Sequence, residues 1–277
     1  YRQPARCVVT SHLLRELAPV TAAAWEQIES DVRPRLQAHL AARKLVDFEG
    51  PLGWDHAATS IGRARAIPAL SSELVVSQRT VLPLIELRVP FSLSRRELDD
   101  VDRGARDIDL GALDAAARHL ALAENRTVFH GYEAAGITGV SEASSHDPIA
   151  LDAGVDRYPA AVARAVDVLR QAGIGGPYGL AIAPDLYTEI IETTEHGGYP
   201  LFDHLREILE GAVAWAPGLS GGLVMSQRGG DFVFDCGQDI AIGYSAHDAA
   251  TVDLYLEESY TFRVLEPDAA VALSAES

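Results

Sequence analysis

Residues 228–262 of this 277-residue chain read RGGDFVFDCGQDIAIGYSAHDAATVDLYLEESYTF and contain the strands of a core sheet. Apolar and polar residues alternate in Phe232–Cys236 and again in Val252–Glu257, with the period of two that is typical of half-buried strands. The same alternation continues through Tyr260–Val264, and the apolar run Ile240–Tyr244 predicts a further buried strand. Periodicity alone predicts a sheet here and indicates no function.

Length and composition narrow the class of protein. A chain that is 48% hydrophobic can bury a substantial core, in one elaborated domain or in two. The formal net charge of −17 argues against a nucleic-acid partner, because phosphate binding needs a basic stripe and the sequence has none. Cys7 and Cys236 are far apart and lack metal-binding spacing, which suits a reducing cytoplasm.

We expect no membrane partner. No segment reaches the roughly 18 consecutive apolar residues that a transmembrane helix needs. Residues 1–10 lack the apolar core of a signal peptide, so we expect a cytoplasmic protein.

Helical periodicity begins near the N-terminus. Apolar residues spaced three and four apart predict a helix over Pro19–Leu40, with Thr21 as its N-cap and a kink or a break at Pro34. Residues 57–80 are too long and too poor in large apolar residues for an ordinary connection. They form either a flexible surface loop or a segment whose partners lie on another subunit.

A strand and two helices are predicted next. Val81–Leu93 alternates strictly and predicts one strand. Ser94 and Glu97 have the spacing of a capping box that opens a short acidic helix. Asp109 is expected to cap a second helix of roughly 25 residues, which extends towards Gly136.

A second module follows the Ser-, Gly- and Asp-rich passage 136–156, which is the best candidate for a domain boundary. It mixes helices with short strands. The predicted helices are 158–172, 184–192 and 201–209, and the predicted strands are 178–183, 213–216 and 223–226.

Two glycine-containing motifs lack the context that their chemistry requires. Gly173-Ile-Gly-Gly-Pro177 follows a helix and precedes a strand, the reverse of a phosphate-binding loop, and Pro177 has no N–H to donate. Gly243-Tyr-Ser-Ala-His247 lacks the second glycine of a nucleophile elbow. We therefore expect no nucleotide site at the first motif, and turn polarity explains the second motif better than catalysis.

Two clusters of polar residues have ordinary explanations. The carboxylates within Asp99–Asp102 are flanked by arginines, which favours solvated ion pairs over catalytic acids. His196, Asp203 and His204 would suit a divalent metal if a turn gathered them, although nine histidines make some close pairs expected by chance. We expect no catalytic residue and no metal site.

Four segments of the sequence resemble the encapsulins, bacterial proteins that assemble into icosahedral protein compartments. They are Leu14-Arg-Glu-Leu-Ala-Pro-Val-Thr21 followed by Trp25, Arg-Gly-Gly-Asp-Phe from residue 228, Asp-Ile-Ala-Ile-Gly-Tyr from 239, and Glu-Ser-Tyr-Thr-Phe-Arg-Val from 258. The resemblance covers Leu13–Leu273 and implies an α+β chain with the tailed-bacteriophage major capsid protein fold. It further implies an N-terminal helix and arm (11–50), an extended loop (51–82), a peripheral domain (83–136 and 228–273) and an axial domain (137–227).

The resemblance also implies a function. A shell protein of this kind assembles with itself, here in an expected T=1 icosahedron, and encloses a cargo enzyme that bears a short targeting peptide. The chain itself is expected not to be an enzyme. Two alternatives remain open: a phage-derived capsid protein, and the protease or bacteriocin activity sometimes attached to the family.

No cofactor is expected. Some encapsulins hold a flavin beside a tryptophan just before the strand that is predicted here from Val81. The corresponding residues, Glu73–Thr80, include no aromatic side chain. We therefore do not predict a flavin site here.

The resemblance implies a cargo-docking groove. Its apolar side chains would form pockets for a peptide and its charged side chains would read the peptide's charge, although apolar residues of this kind are most often simply buried. The groove residues are Arg43, Leu45, Asp47, Asp239, Ile240, Ile242 and Tyr244.

The resemblance also places a pore loop around a fivefold axis, at Glu195, His196, Gly197, Gly198 and Tyr199. Adjacent glycines restrict φ little, so we expect a variable aperture that admits ions and small metabolites and excludes folded proteins. A ring of His196 side chains would gain positive charge below neutral pH and modestly favour the entry of anions.

Overall fold

The computed structural model describes residues 11–151, 154–194 and 198–275. The chain divides into two compact units. The first comprises residues 1–36, 86–120 and 239–258, and the second comprises residues 37–85, 121–238 and 259–277. The domain ranges implied by the resemblance stay predictions.

The described residues contain seven α-helices and twelve strands. The helices are α1 (Ala22–His39), α2 (Arg95–Asp102), α3 (Gly111–His130), α4 (Val140–Ala143), α5 (Tyr158–Gln171), α6 (Pro184–Glu192) and α7 (Leu201–Leu209). The strands are β1 (Asp47–Glu49), β2 (Ala58–Ile67), β3 (Val76–Pro83), β4 (Ile85–Ser94), β5 (Ile149–Leu151), β6 (Tyr178–Ile182), β7 (Glu210–Trp215), β8 (Gly222–Ser226), β9 (Phe232–Cys236), β10 (Ala241–His247), β11 (Thr251–Val264) and β12 (Ala270–Ala275). None of these helices is long and apolar enough to cross a membrane.

In the first unit, a hairpin is formed by β10 and the beginning of β11. The antiparallel register runs from Ala241 opposite Glu257 to His247 opposite Val252. The turn between the strands is closed by Asp248, whose carboxylate accepts hydrogen bonds from the backbone N–H groups of Ala250 and Thr251. These bonds favour the ionised form and lower the pKa of Asp248. Strand β4 pairs with β11.

The second unit contains two further groups of paired strands. Strand β1 lies parallel to β9, and β9 pairs antiparallel with the last residues of β11, from Tyr260 opposite Cys236 to Val264 opposite Phe232. A separate five-stranded sheet has the order β5-β12-β8-β6-β7. Every residue of β6 and β8 is buried, as expected for strands covered on both faces.

Strands β2 and β3 form a two-stranded antiparallel ribbon, with Ala58 opposite Pro83 and Ile67 opposite Val76. Within the described parts of the chain, the ribbon pairs with no other strand. Most of its side chains are exposed. This ribbon occupies most of the range that was predicted as an extended loop.

Several predicted elements are confirmed with small changes in their bounds. Helices α6 and α7 have the predicted ends, and α5 stops one residue earlier than predicted. The predicted cap at Thr21 is confirmed, because its hydroxyl oxygen accepts a hydrogen bond from the N–H of Ala24 at 3.2 Å. Helix α1 continues through Pro34 as one element, so the chain does not break there.

Other predictions are wrong in detail. The strand expected over Val81–Leu93 is divided at Leu84 between β3 and β4. Ser94 makes no side-chain capping bond, and the carboxylate of Glu97, the other member of the predicted capping box, accepts from the N–H of Asp109 at 3.0 Å. Helix α3 has 20 residues and ends at His130. The following Gly131 has φ +87°, and a Cβ there would lie 2.8 Å from the backbone of Gly139, so the chain turns where only glycine fits.

Candidate functional site

Arg43, the first predicted cargo residue, is bound within the second unit. Its Nε and Nη2 atoms donate to the same carboxylate oxygen of Glu124, at 2.8 and 2.7 Å. The Glu124 side chain is fully buried. The guanidinium also lies 5.1 Å from the ring centroid of Phe48 and 5.3 Å from that of Phe234, in cation–π range. Arg43 therefore neutralises a buried carboxylate and covers an aromatic stack.

Asn125, next to Glu124 on α3, holds the segment that carries Arg43. Its side-chain oxygen accepts hydrogen bonds from the N–H groups of Ala41 and Ala42, at 3.0 and 3.1 Å. Its amide nitrogen donates to the carbonyls of His39 and Pro217, at 2.8 and 3.0 Å. The side-chain amide of Asn125 thus provides hydrogen-bond partners for backbone N–H and C=O groups at the end of α1.

Leu45 and Asp47 are also engaged within the second unit. Leu45 is only 3% exposed and packs over Gly179, where an added Cβ would lie 2.6 Å from its Cδ2 atom. The carboxylate of Asp47 accepts a hydrogen bond from the N–H of Gly230 at 2.5 Å. A cleft of about 90 Å³ is lined by Leu45, Asp47 and residues adjacent to them. Because the Leu45 side chain is itself buried against Gly179, it does not form an open pocket for a peptide.

The other predicted cargo residues belong to the first unit, at or just before β10. Asp239 and Ile240 are half-buried, and the Asp239 carboxylate accepts from the N–H of Ile240 at 2.8 Å. Ile242 is buried. The N–H of Tyr244 donates to the carbonyl of Leu13 at 2.8 Å, and its half-buried side chain places the hydroxyl 2.6 Å from Nδ1 of His247.

A cluster of ionisable residues that the sequence did not indicate surrounds Glu257 in the first unit. The buried Glu257 carboxylate lies 3.3 Å from Nε2 of His12 and accepts a hydrogen bond from Nε of Arg88 at 3.0 Å. The Arg88 guanidinium carbon lies 4.2 Å from the ring centroid of Tyr255. Burial, together with the charge of Glu257, raises the pKa of Tyr255. This cluster ties the described N-terminal segment to the hairpin.

Of the predicted pore residues, Glu195, His196 and Gly197 lie outside the described residues. Gly198 has φ +80°, a conformation that favours glycine. The hydroxyl of Tyr199 donates to Glu207 at 2.8 Å. Across the described part of the chain, no group of three or more His, Cys, Asp or Glu side chains could hold a metal ion.

The partners of Arg43 could have been suspected from the sequence. Glu124 and Asn125 are consecutive polar residues that directly follow the apolar run 120–123 of α3, and polar residues that are buried require partners. The sequence does not show which partners they have, because Arg43 and Glu124 are 81 positions apart.

Residues 10–261 match a family model described as the encapsulating protein for peroxidase. The chain belongs to this encapsulin family. A type 1 encapsulin shell protein of Rhodospirillum rubrum is 50% identical to it over 267 residues, which cover 94% of this chain and 95% of the relative. The predicted family is thereby confirmed.

Solved structures show the same fold. The virus-like particle protein of Pyrococcus furiosus aligns with this encapsulin at a TM-score of 0.64 and 19% identity, covering 90% of this chain and 99% of the other. The capsid protein of an empty GTA particle aligns at a TM-score of 0.53 and 15% identity, covering 87% and 91%. The predicted α+β capsid fold is confirmed by these alignments.

Proposed function

We propose that copies of this encapsulin close into a T=1 icosahedral shell in the cytoplasm, that the shell encloses a cargo protein, and that the chain is not itself an enzyme. The curated relative is named a shell protein, and the structural relatives come from a virus-like particle and a capsid. Repeated contacts between identical chains produce a closed particle when their rotation closes.

The β2–β3 ribbon is the observation that carries this proposal. An isolated two-stranded ribbon is only marginally stable in water. Here the turn that joins the strands presents Leu70 and Val75, which are 92% and 97% exposed, and Leu74 beside them is half exposed. Exposed apolar side chains grouped in this way mark an interaction surface. We propose that this surface is covered by a neighbouring copy in the shell.

Electron microscopy and light scattering of the purified protein test the proposal. The wild-type chain should form closed particles of one size whose mass fits T=1, and deletion of residues 60–78 should leave small oligomers. Full shells from the deletion variant would contradict the role of the ribbon. A finer test replaces Leu70 and Val75 by serine, with Leu265→Ser as the control, because Leu265 is an exposed apolar residue outside the ribbon.

We further propose that the cargo peptide contacts Asp239, Ile240 and Tyr244. Their side chains are half-buried, so part of each can still reach a ligand, whereas Leu45 is almost fully buried and the Arg43 guanidinium is held by Glu124. Ile240→Asp should release cargo from shells that remain intact, as measured by mass spectrometry of the proteins that copurify with shells from the source cells. Unchanged cargo in Ile240→Asp shells would contradict the proposal. Ile191→Asp, at an exposed helical position, is the matched control.

The proposal for residues 195–199 is an aperture that admits ions and small molecules. It is supported by the glycine conformation at Gly198 and by the exposed Tyr199 side chain. Tyr199→Ala should speed the entry of a small anionic dye into preformed shells, and His196→Ala should flatten the pH dependence of that entry. If the dye entered wild-type, Tyr199→Ala and His196→Ala shells at equal rates and with equal pH profiles, neither residue would line the path of entry.

A further inference from the structure

The β2–β3 ribbon carries a charge opposite in sign to that of the whole chain. Residues 58–83 contain three arginines, Arg63, Arg65 and Arg79, and one acidic residue, Glu73, so their net charge is +2. The whole chain carries −17, which leaves −19 for the remaining residues. The ribbon is therefore a basic segment on an acidic protein.

The strand register places the arginines on both faces of the ribbon. Arg63 lies opposite Thr80 and Arg65 opposite Gln78, and these four residues share one face because cross-strand partners point to the same side. Arg79 lies opposite Ala64 and belongs to the other face. Each face of the ribbon thus presents at least one arginine.

The three arginines differ in what holds them. The guanidinium of Arg65 donates to the side-chain oxygen of Gln78 at 3.1 and 2.7 Å, so its position is fixed by its own ribbon. Arg63 and Arg79 are exposed and have no ion-pair partner among the described residues. Two cations are therefore available to a partner, one on each face.

We propose that the ribbon is an electrostatic docking element, in which Arg63 and Arg79 bind carboxylates of neighbouring copies of this chain on the two faces of the ribbon. This inference rests on the proposed shell function and specifies how the ribbon is held. The acidic remainder of each copy supplies the complementary charge. The same acidic surfaces repel one another wherever no ribbon lies between them.

A second copy fits the ribbon better than a nucleic acid does. The apolar turn at Leu70 and Val75 suits an apolar protein surface, whereas a phosphate backbone offers none. A net charge of +2 is also small for nucleic-acid binding, which normally uses several phosphate contacts.

The docking should depend on ionic strength. Interactions between exposed charges are largely screened beyond about 8 Å at physiological salt, and this distance shortens as salt is added. Added salt should therefore weaken the assembly of the wild-type chain, until the apolar contacts of the ribbon alone hold the particle. A variant without the two charges should no longer be weakened by added salt, because salt then screens only the repulsion between the acidic surfaces.

The test compares the wild-type chain with Arg63→Glu/Arg79→Glu and with Arg63→Gln/Arg79→Gln. Arg164→Glu is the matched control, since Arg164 is an exposed arginine on α5 without an ion-pair partner in the described part of the chain. Light scattering measures the protein concentration at which half of the chains are assembled. The measurement is repeated at a series of NaCl concentrations, from low to high. Circular dichroism checks that every variant is folded.

At low salt, the charge-reversed variant should need about tenfold more protein for half assembly than the wild type, since repulsion replaces attraction at two exposed sites. The difference should shrink as NaCl rises, and added NaCl should not weaken the assembly of the glutamine variant. Equal assembly of the wild type and the charge-reversed variant at every salt concentration would overturn the inference while leaving the shell function intact.

Two other outcomes also decide the matter. Absence of wild-type particles under all conditions would overturn the proposed shell function, and the docking inference with it. Copurifying nucleic acid that is lost together with the two arginines, seen in the ratio of absorbance at 260 and 280 nm, would overturn the choice of a second copy as the partner.

Discussion

Arg43 and Glu124 form a partly buried ion pair in which two guanidinium nitrogens donate to one carboxylate oxygen, at 2.8 and 2.7 Å. The carboxylate is fully buried, and the Arg43 side chain is 16% exposed. Removal of one partner from such a pair leaves an uncompensated charge in the interior, which costs more than the pair itself contributes. The position of Arg43 therefore depends on Glu124, a residue of α3 that lies 81 positions further along the chain.

Arg43→Met should lower the free energy of unfolding by about 3–5 kcal/mol, because the Glu124 carboxylate would lose its cation. Urea unfolding of the dissociated chain measures this. The double variant Arg43→Met/Glu124→Leu removes both charges and should recover most of the loss. A double variant as unstable as Arg43→Met would show that the aromatic contacts of Arg43, and not its charge, stabilise the fold.

Asn125→Ala should lower the free energy of unfolding by about 3 kcal/mol, because two buried backbone N–H groups and two carbonyls lose their shared partner. Urea unfolding again gives the value. Arg118→Ala, at an exposed position on the same helix, should change it by less than about 0.5 kcal/mol. Equal effects of the two substitutions would show that Asn125 does not hold the end of α1.

Gly179→Ala should lower the free energy of unfolding by about 1–3 kcal/mol, since the new methyl group would overlap the Leu45 side chain. Leu45→Val in the same chain removes the overlapping atom and should recover part of that loss. Gly175→Ala is the control, because a Cβ there meets no atom within 4 Å. Similar thermal midpoints for the Gly179 and Gly175 variants would contradict the packing of Leu45 over β6.

Tyr158 should make the protein less stable in alkaline solution. Burial raises its pKa to about 12, and the nearby Glu189 carboxylate, 3.1 Å from the hydroxyl, adds to the shift. The unfolded side chain has a pKa of about 10. The folded state therefore binds the proton more tightly, and the stabilisation is complete below about pH 10 and is lost as the pH rises towards 12.

The matching experiment measures the free energy of urea unfolding between pH 8 and pH 11. Tyr158→Phe should be somewhat less stable at neutral pH, because it lacks the hydrogen bond, and should lose less stability above pH 10. Tyr132→Phe, at an exposed tyrosine, should follow the wild type. If the free energy of unfolding fell equally with pH in the wild type and in Tyr158→Phe, the loss of stability above pH 10 would not come from Tyr158.

The sequence by itself determined the elements whose pattern is local. Phe232–Cys236 alternates as a strand and forms β9, and the three- and four-residue apolar spacing of Leu201–Leu209 predicts α7. It also determined the family, because the resembling segments extend along nearly the whole chain and the match to residues 10–261 confirms them. Local periodicity suffices for these features because each depends only on which side chains share a face.

Only the tertiary structure decided which distant residues meet. The alternating segments near Val252 and Tyr260 join into a single 14-residue strand, since β10 pairs with its beginning and β9 with its end. The resemblance named Arg43 and Leu45 but could not identify Glu124 or Gly179 as their partners. Burial of a charge or of an apolar side chain depends on what the folded chain brings against it, and no local pattern records that.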